Sequence, residues 1–339
     1  MMFFRMRTTA KASRGGLFFV ILTLLLPATA VTQQTSVTQS QKVIIDTDIG
    51  DDVDDAFAVD LALASPELNI LGISSAWGDT ALRSRMLDRM LCETGRTGVS
   101  VNLGLPTKST AVFTQAAWAR AGIEHTHNDA VSFLVEQANK YPGEITLLAI
   151  GPLTNVAAAI DKDPAAFRKL KRVVIMGGSI HHGYGENAPP EPEYNIARDP
   201  AAAQKLFRSG VPVFVLPLDS TQIKFEEAKL SALASVSTPL TDSLQILVAE
   251  WKLSNRNAYP TLFDAVAAAY AIDASSCPMT PLHIEVDDKG LTRDTTETPN
   301  AQACLEPHPE KLFSLLMPRF LEQNMVGRQV CIAPAKDQP

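Results

Sequence analysis

The chain has 339 residues, 46% hydrophobic and 20% charged, which is enough for a large folded core and unlike a disordered or fibrous chain. Thirty-seven acidic residues against 30 basic ones leave a formal charge of −7, which argues against a nucleic-acid backbone as the main partner. A neutral small molecule remains compatible with that balance.

In chain order, Arg5, Arg7, Lys11 and Arg14 flank an apolar run over residues 17–26, which ends in Ala28-Thr29-Ala30. A positive segment, a short apolar run and an Ala-x-Ala site read as a secretory signal peptide over residues 1–30. Ten apolar residues are too few for a bilayer, which takes about 20. No later stretch is apolar for long enough, so no membrane association is expected after cleavage. A polar linker over 31–41 and one domain over 42–335 follow, in a periplasmic or secreted protein. Export lets the four cysteines pair. Cys277 and Cys304 flank a polar segment and form the favoured pair, with Cys92–Cys331 by exclusion and free thiols as the alternative.

Apolar runs predict strands at 43–47, 70–75, 99–103, 145–150, 172–176 and 211–216. Helical patterns fall between and after them, at 54–64, 80–95, 128–140, 153–161, 199–208 and 261–272. Late strands are expected at 281–286 and 328–333, with a long loop or hairpin at 287–303. Alternating strands and helices predict an α/β fold, a mostly parallel central sheet flanked by helices. The strands are apolar on both faces, as buried parallel strands are.

Between the first strand and first helix stand six aspartates within ten residues: Asp46, Asp48, Asp51, Asp52, Asp54 and Asp55. Helix capping accounts for one or two of them. The rest repel one another, so something positive must sit among them. Oxygen ligands at this density favour Ca²⁺ or Mg²⁺ over Zn²⁺.

Other polar residues gather where strands end: Trp77-Gly78-Asp79-Thr80, Gly151-Pro152-Leu153-Thr154-Asn155, Gly177-Gly178, Glu193-Tyr194-Asn195 and Asp219-Ser220-Thr221. Together they make a polar crevice suited to a sugar. Singly, Gly177-Gly178 reads as a turn, Thr154 as an N-cap and Asp199-Pro200 as a helix start. Asp264 interrupts an apolar helix, so it either caps that helix or reaches the metal.

In order and spacing these motifs resemble the inosine-uridine preferring nucleoside hydrolase family, over nearly the whole mature chain. Asp46-Thr47-Asp48-Ile49-Gly50 and Asp54-Asp55-Ala56 match its opening signature. Gly151 to Asn155, Met176-Gly177-Gly178, Asn187 with Glu193 and Asn195, and Leu218-Asp219 match later motifs. The resemblance implies hydrolysis of the N-glycosidic bond of purine or pyrimidine ribonucleosides to free base and ribose, as in nucleoside salvage. It implies a Ca²⁺ held by Asp48, Asp55, the Ile150 carbonyl and Asp264, with ribose contacts from Asp54, Asn187, Glu193 and Asn195. Asp48 would be the general base, and Glu193 would stabilise the positive ring. A homo-oligomer is compatible with all of this.

Three departures stand out. The signature is two residues longer than the usual form, which leaves Asp51 or Asp52 as alternative ligands or ribose contacts. Phe263 stands where members with a leaving-group acid often carry His. Asp79 occupies the substrate-contacting position usually held by Asn. Candidates for activating the base are then His125, His127, His181, His182 and Tyr259, with Trp77 a candidate for stacking on it. Two readings compete: a Mg²⁺ phosphohydrolase built on Asp46 and Asp48, and a non-catalytic nucleoside- or ribose-binding protein.

Overall fold

The computed structural model describes residues 40–185, 187–256, 258–327 and 331–334, which belong to one compact unit. The expected signal peptide and nearly all of the linker lie outside the described residues. Among the described residues, ten strands form one sheet: β1 (Gln41–Thr47), β2 (Leu68–Ser75), β3 (Ser100–Leu103), β4 (Asn128–Asp129), β5 (Ile145–Ala149), β6 (Arg172–Met176), β7 (Val213–Leu216), β8 (Thr280–Val286), β9 (Thr292–Thr295) and β10 (Ala301–Ala303). Their order is β4-β3-β2-β1-β5-β6-β7-β10-β8-β9. Pairing is parallel from β4 to β7 and on to β10, and antiparallel only for β8 with β10 and with β9. The fold is therefore α/β with a mostly parallel central sheet.

Both faces of the sheet are covered because its strands alternate between two apolar cores. Val43 and Ile45 of β1, with Leu148, Val174 and Leu216, pack into one. Ile44, with Leu147, Val173 and Val215, packs into the other. Helices Asp54–Leu63 and Phe263–Ile272 cross the first face and are buried over nearly their whole length. The chain runs outward from β1 through β2 to β4, then returns to build β5 and β6 on its other side. That reversal opens a crevice at the carboxyl ends of β1 and β5, where doubly wound sheets place ligands.

The expected elements fall within a few residues of these positions, and in the 287–303 segment β9 folds back on β8 as a hairpin while β10 pairs with the other edge of β8. Residues 328–330 of the expected last strand lie outside the described residues, and Ile332 makes only an isolated bridge with Gly122. Thr154 is not an N-cap. The helix begins at Thr154 itself, and the hydroxyl donates to Asp199 at 2.9 Å. Asp199 caps the helix Pro200–Phe207 as expected, accepting from the Ala202 amide. Both cysteine pairs are disulfides, with Cα atoms 6.0 Å apart for Cys277–Cys304 and 5.6 Å for Cys92–Cys331.

One buried acid serves neither the crevice nor the sheet. Asp60, in helix Asp54–Leu63, is fully buried, and neither carboxyl oxygen has a hydrogen-bond partner among the described residues. Burial, then the charge of Glu93, hold its pKa well above the usual carboxylate range. Glu93 itself is paired with Arg89 at 2.7 Å. An acid whose folded pKa is raised stabilises the fold below the unfolded pKa near 4, and that contribution fades as pH climbs towards the folded value. Asp60→Asn should therefore stabilise the protein at pH 7 by about 1–3 kcal/mol, and by much less at pH 4.5. Urea unfolding of both proteins at the two pH values checks it. An equal effect at both would refute an ionisation penalty at this position.

Candidate active site

The acidic turn between β1 and helix Asp54–Leu63 is built by close packing. Gly50 sits at φ +123°, and a Cβ there would lie 2.0 Å from the Phe113 ring. A Cβ on Gly151 would come within 2.8 Å of the Asp48 amide and carboxylate, so only glycine admits the turn that follows β5. The segment around Phe113 holds the acidic turn by its backbone. The Gln115 amide donates to the Gly50 carbonyl at 3.1 Å, the Thr114 hydroxyl to Asp51 O at 2.8 Å, and Gln115 Nε2 to Asp52 O at 2.7 Å.

Part of the positive charge that six aspartates require comes from Arg83, 1% exposed, on helix Thr80–Glu93. Its guanidinium donates to the backbone carbonyls of Asp48 and, at 2.8 Å, Ile49. It also donates to Trp77 O at 2.8 Å and to Asp51 Oδ2 at 2.8 Å, and it lies over the Phe113 ring at 5.1 Å. Sequence reading missed this residue. The signal was there, since Thr80, Arg83, Leu87 and Met90 fall at helical spacing on the buried stripe of that helix.

Two helix N-termini converge on the crevice floor. Asp54 and Asp55 occupy the first turn of one, and Asp264 the first turn of Phe263–Ile272. A carboxylate oxygen from each lies within 4.8 Å of the others, and all three residues are buried. Asp264 does not cap its helix, which has no side-chain cap. Its amide donates to Asp54 Oδ2 at 3.4 Å, and its own Oδ1 has no partner among the described residues. The Thr47 hydroxyl donates to Asp55 Oδ1. Burial, reinforced by mutual repulsion, raises all three pKa values well above the carboxylate range. Asp48, next to them, is pushed up to about 7 by burial, against the pull of Arg83. Asp46 lies deeper, with burial raising it to about 7, and accepts from Asn155 Nδ2 at 2.8 Å.

Glu193 is buried and caps helix Tyr194–Arg198. Amide N–H groups of Gly178, Asn195 and Ile196 donate to it at 2.9, 2.9 and 3.1 Å. Burial raises its pKa, while those amides and then the Tyr184 hydroxyl draw it down. Asn195 Nδ2 donates to the carbonyls of Met176 at 3.1 Å and Ile150 at 3.3 Å, tying the ends of β6 and β5 together.

These groups surround one cavity of about 420 Å³. Asp48, Asp51, Asp52, Asp54, Asp55, Ile150, Glu193, Asn195 and Asp264 line it on the polar side. Tyr184, Tyr194, Trp251 and Phe263 make an aromatic wall, with Tyr184 edge-on to Phe263 at 6.1 Å and 81°. Two expected site residues are placed elsewhere. Asp79 is exposed and caps helix Thr80–Glu93, accepting from the Leu82 amide at 3.0 Å. Asn187 is exposed, in a left-handed conformation at φ +59°. None of the five candidates for base activation lines the cavity. His127 pairs with Asp88 at 2.7 Å, and His181 approaches Asp219 and Asp294. Trp77 does not line it either; its carbonyl holds Arg83. Tyr184 and Trp251 were missed. Trp251 ends the buried stripe Leu240, Leu244, Leu247, Trp251 of helix Pro239–Ser254, at helical spacing.

Comparison with known proteins agrees with this geometry. A family model described as inosine-uridine preferring nucleoside hydrolase matches residues 43–314. Uridine nucleosidase 1 of Arabidopsis thaliana is 34% identical over 211 residues, 58% of this chain and 62% of its own length. Pyrimidine-specific ribonucleoside hydrolase RihB of Escherichia coli O1:K1 / APEC is 31% identical over 198 residues, 54% of this chain and 61% of its own. The chain thus spans somewhat less than two thirds of these curated relatives. Among solved structures, the plant nucleoside hydrolase PpNRh1 matches with a TM-score of 0.76 and 27% identity, over 84% of this chain and 100% of that one. A purine-preferring ribonucleoside hydrolase from Gardnerella vaginalis matches with a TM-score of 0.72 and 25% identity, over 83% and 98%. The chain belongs to the inosine-uridine preferring nucleoside hydrolase family.

Proposed function

We propose that the protein is an exported, calcium-dependent ribonucleoside hydrolase that splits the N-glycosidic bond to release free base and ribose. The observation that carries this reading is the buried trio Asp54, Asp55 and Asp264 in a cavity that is also lined by Tyr184, Tyr194, Trp251 and Phe263. Three converging carboxylates, one with an orphaned oxygen, fit a hard divalent cation, and their all-oxygen set favours Ca²⁺ over Zn²⁺. Asp48 and the Ile150 carbonyl stand beside the trio as further ligands. When bound, the cation orients sugar hydroxyls and acidifies nearby water. Asp48 then accepts the proton of the attacking water. Glu193, fixed by three amides, faces the sugar and stabilises positive charge developing on the ring. The flat wall of Trp251 and Phe263 receives the base. A secretory-type N-terminus and two disulfides support a periplasmic or secreted location.

One observation favours a second reading, a nucleoside-binding protein without turnover: no imidazole lines the cavity among the described residues, and Phe263 cannot protonate a base. Base release from inosine, guanosine, adenosine, uridine and cytidine, with Ca²⁺ and then with excess chelator, decides between them. Chelator-sensitive release is the expected result. No release from any nucleoside, with binding retained, would refute the hydrolase and leave the binder.

A further inference from the structure

We propose that Tyr184 is a positioning residue for the reaction, whose hydroxyl, presented by the loop after β6, holds the Glu193 carboxylate in place on the cavity wall. The inference rests on the nucleoside hydrolase reading and on the part it gives Glu193. The loop spans residues 177–193 and is pinned by groups that do not line the cavity. Thr292 Oγ1 accepts from the Ser179 amide at 2.7 Å and donates to the Ser179 carbonyl at 2.9 Å. The Ile180 and His181 amides donate to the Asp219 carboxylate at 2.9 and 2.8 Å. Gln222 clasps the chain on both sides of Tyr184, donating to Gly183 O at 2.9 Å and accepting from the Gly185 amide at 2.7 Å. The Tyr184 amide donates to Glu191 Oε1 at 3.0 Å. The backbone is thus fixed independently of the ring, which lines the cavity edge-on to Phe263.

The hydroxyl completes the cap of helix Tyr194–Arg198. The first amides of a helix have no partner within it. Glu193 accepts from two of them, Asn195 and Ile196, and from the Gly178 amide. The Tyr194 amide goes instead to the Tyr184 oxygen, at 3.0 Å. With that oxygen accepting, the phenol hydrogen is free to donate. Glu193 Oε2 holds two amides and Oε1 one, so the carboxylate has room for a fourth donor, and the Tyr184 hydroxyl supplies it. The other three are backbone groups, so Tyr184 is the donor that a side-chain substitution deletes. A group that stabilises charge developing on the sugar must be held where that charge forms. Loosening it costs the transition state more than the bound substrate, so the loss belongs in kcat rather than KM.

The test is Tyr184→Phe, which keeps the ring and its contact with Phe263. With saturating Ca²⁺, kcat on inosine and on uridine should fall by roughly 10–100-fold, the range for losing a hydrogen bond to a charged group. KM and calorimetric Ca²⁺ affinity should hold, and the two substrates should lose the same factor. Urea unfolding of wild type, Tyr184→Phe, Glu193→Ala and the double variant reads the contact without turnover. The Tyr184→Phe substitution should lower the midpoint more when Glu193 is present than when it is replaced by Ala, because only the Tyr194 amide contact is then left to lose. Unchanged kcat in Tyr184→Phe overturns the inference. A rise in KM with kcat intact, or a loss confined to one nucleoside, overturns it too, by making the phenol a substrate contact. So does an equal midpoint shift in both backgrounds, which would uncouple the hydroxyl from Glu193. If wild type releases no base from any nucleoside, the hydrolase reading fails separately, and the unfolding cycle still decides whether Tyr184 holds Glu193.

Discussion

Asp55→Ala should lower kcat/KM for every nucleoside by at least about 10²–10³-fold, the scale of removing one group that places charge in a buried site. It should do so without weakening the metal-free protein. Asp55 is buried beside Asp54 and Asp264, and its pKa is raised first by burial and then by repulsion from Asp48 and Asp54. Deleting one member of a buried set of like charges removes desolvation and repulsion together. The loss is a single hydrogen bond from the Thr47 hydroxyl, worth about 1 kcal/mol. The two readouts therefore move in opposite directions: activity collapses while the melting temperature in chelator holds or rises. Calcium should raise the melting temperature of wild type, by about 2.7 kcal/mol of stability at a hundredfold excess over Kd, and should leave Asp55→Ala unmoved. Full activity in the variant would refute the placement of the cation. A fall in metal-free stability with calcium protection intact would make Asp55 a structural acid instead.

Most of the fold was legible because buried parallel strands are continuous apolar runs, and β1, β2, β5 and β6 carry them. Helix Pro239–Ser254 escaped the reading. Its apolar stripe is interleaved with Asp242, Gln245, Glu250 and Lys252, although Thr238 and Thr241 form a capping box at its start. The acidic floor was legible from the count of aspartates alone. Which of them converge came only from the family resemblance, which put Asp55 and Asp264 on one metal, because Asp54 and Asp264 are 210 residues apart and meet where two buried helices pack against each other. Asp79 shows a local rule winning over a motif. A carboxylate just before a helix finds its nearest donor in the third amide onward, here Leu82, and turns into a cap. Asn187, His181 and His182 share the loop after β6, and the residue of that loop that lines the cavity is Tyr184, whereas His127, on another loop, pairs with Asp88.

Arg83→Met should destabilise the protein by about 3–5 kcal/mol, the cost of removing one partner from a buried ion pair. At roughly 2–4 °C per kcal/mol for a domain of this size class, the melting temperature should fall by on the order of 10 °C. Arg83 neutralises Asp51, and it also serves as the donor for three backbone carbonyls, those of Asp48, Ile49 and Trp77, which no other side chain reaches in the hydrogen-bond pattern described. It therefore fixes the path of the acidic turn as well as its charge, and the variant should also bind calcium more weakly, because Asp48 follows that path. Lysine separates the two effects. Arg83→Lys keeps the charge but replaces a planar fork by a point donor, so it should lose most of what methionine loses. Asp51→Asn in the Arg83→Met background should recover only the part owed to an unpaired carboxylate, about 1–3 kcal/mol. Equilibrium unfolding of wild type, Arg83→Met, Asp51→Asn and the double variant, closed as a double-mutant cycle, measures that coupling directly. If Arg83→Lys is as stable as wild type, charge alone holds the turn and the fork is incidental. If Asp51→Asn recovers the whole loss, the carbonyl contacts contribute nothing, and the turn keeps its shape through Phe113, Thr114 and Gln115 instead.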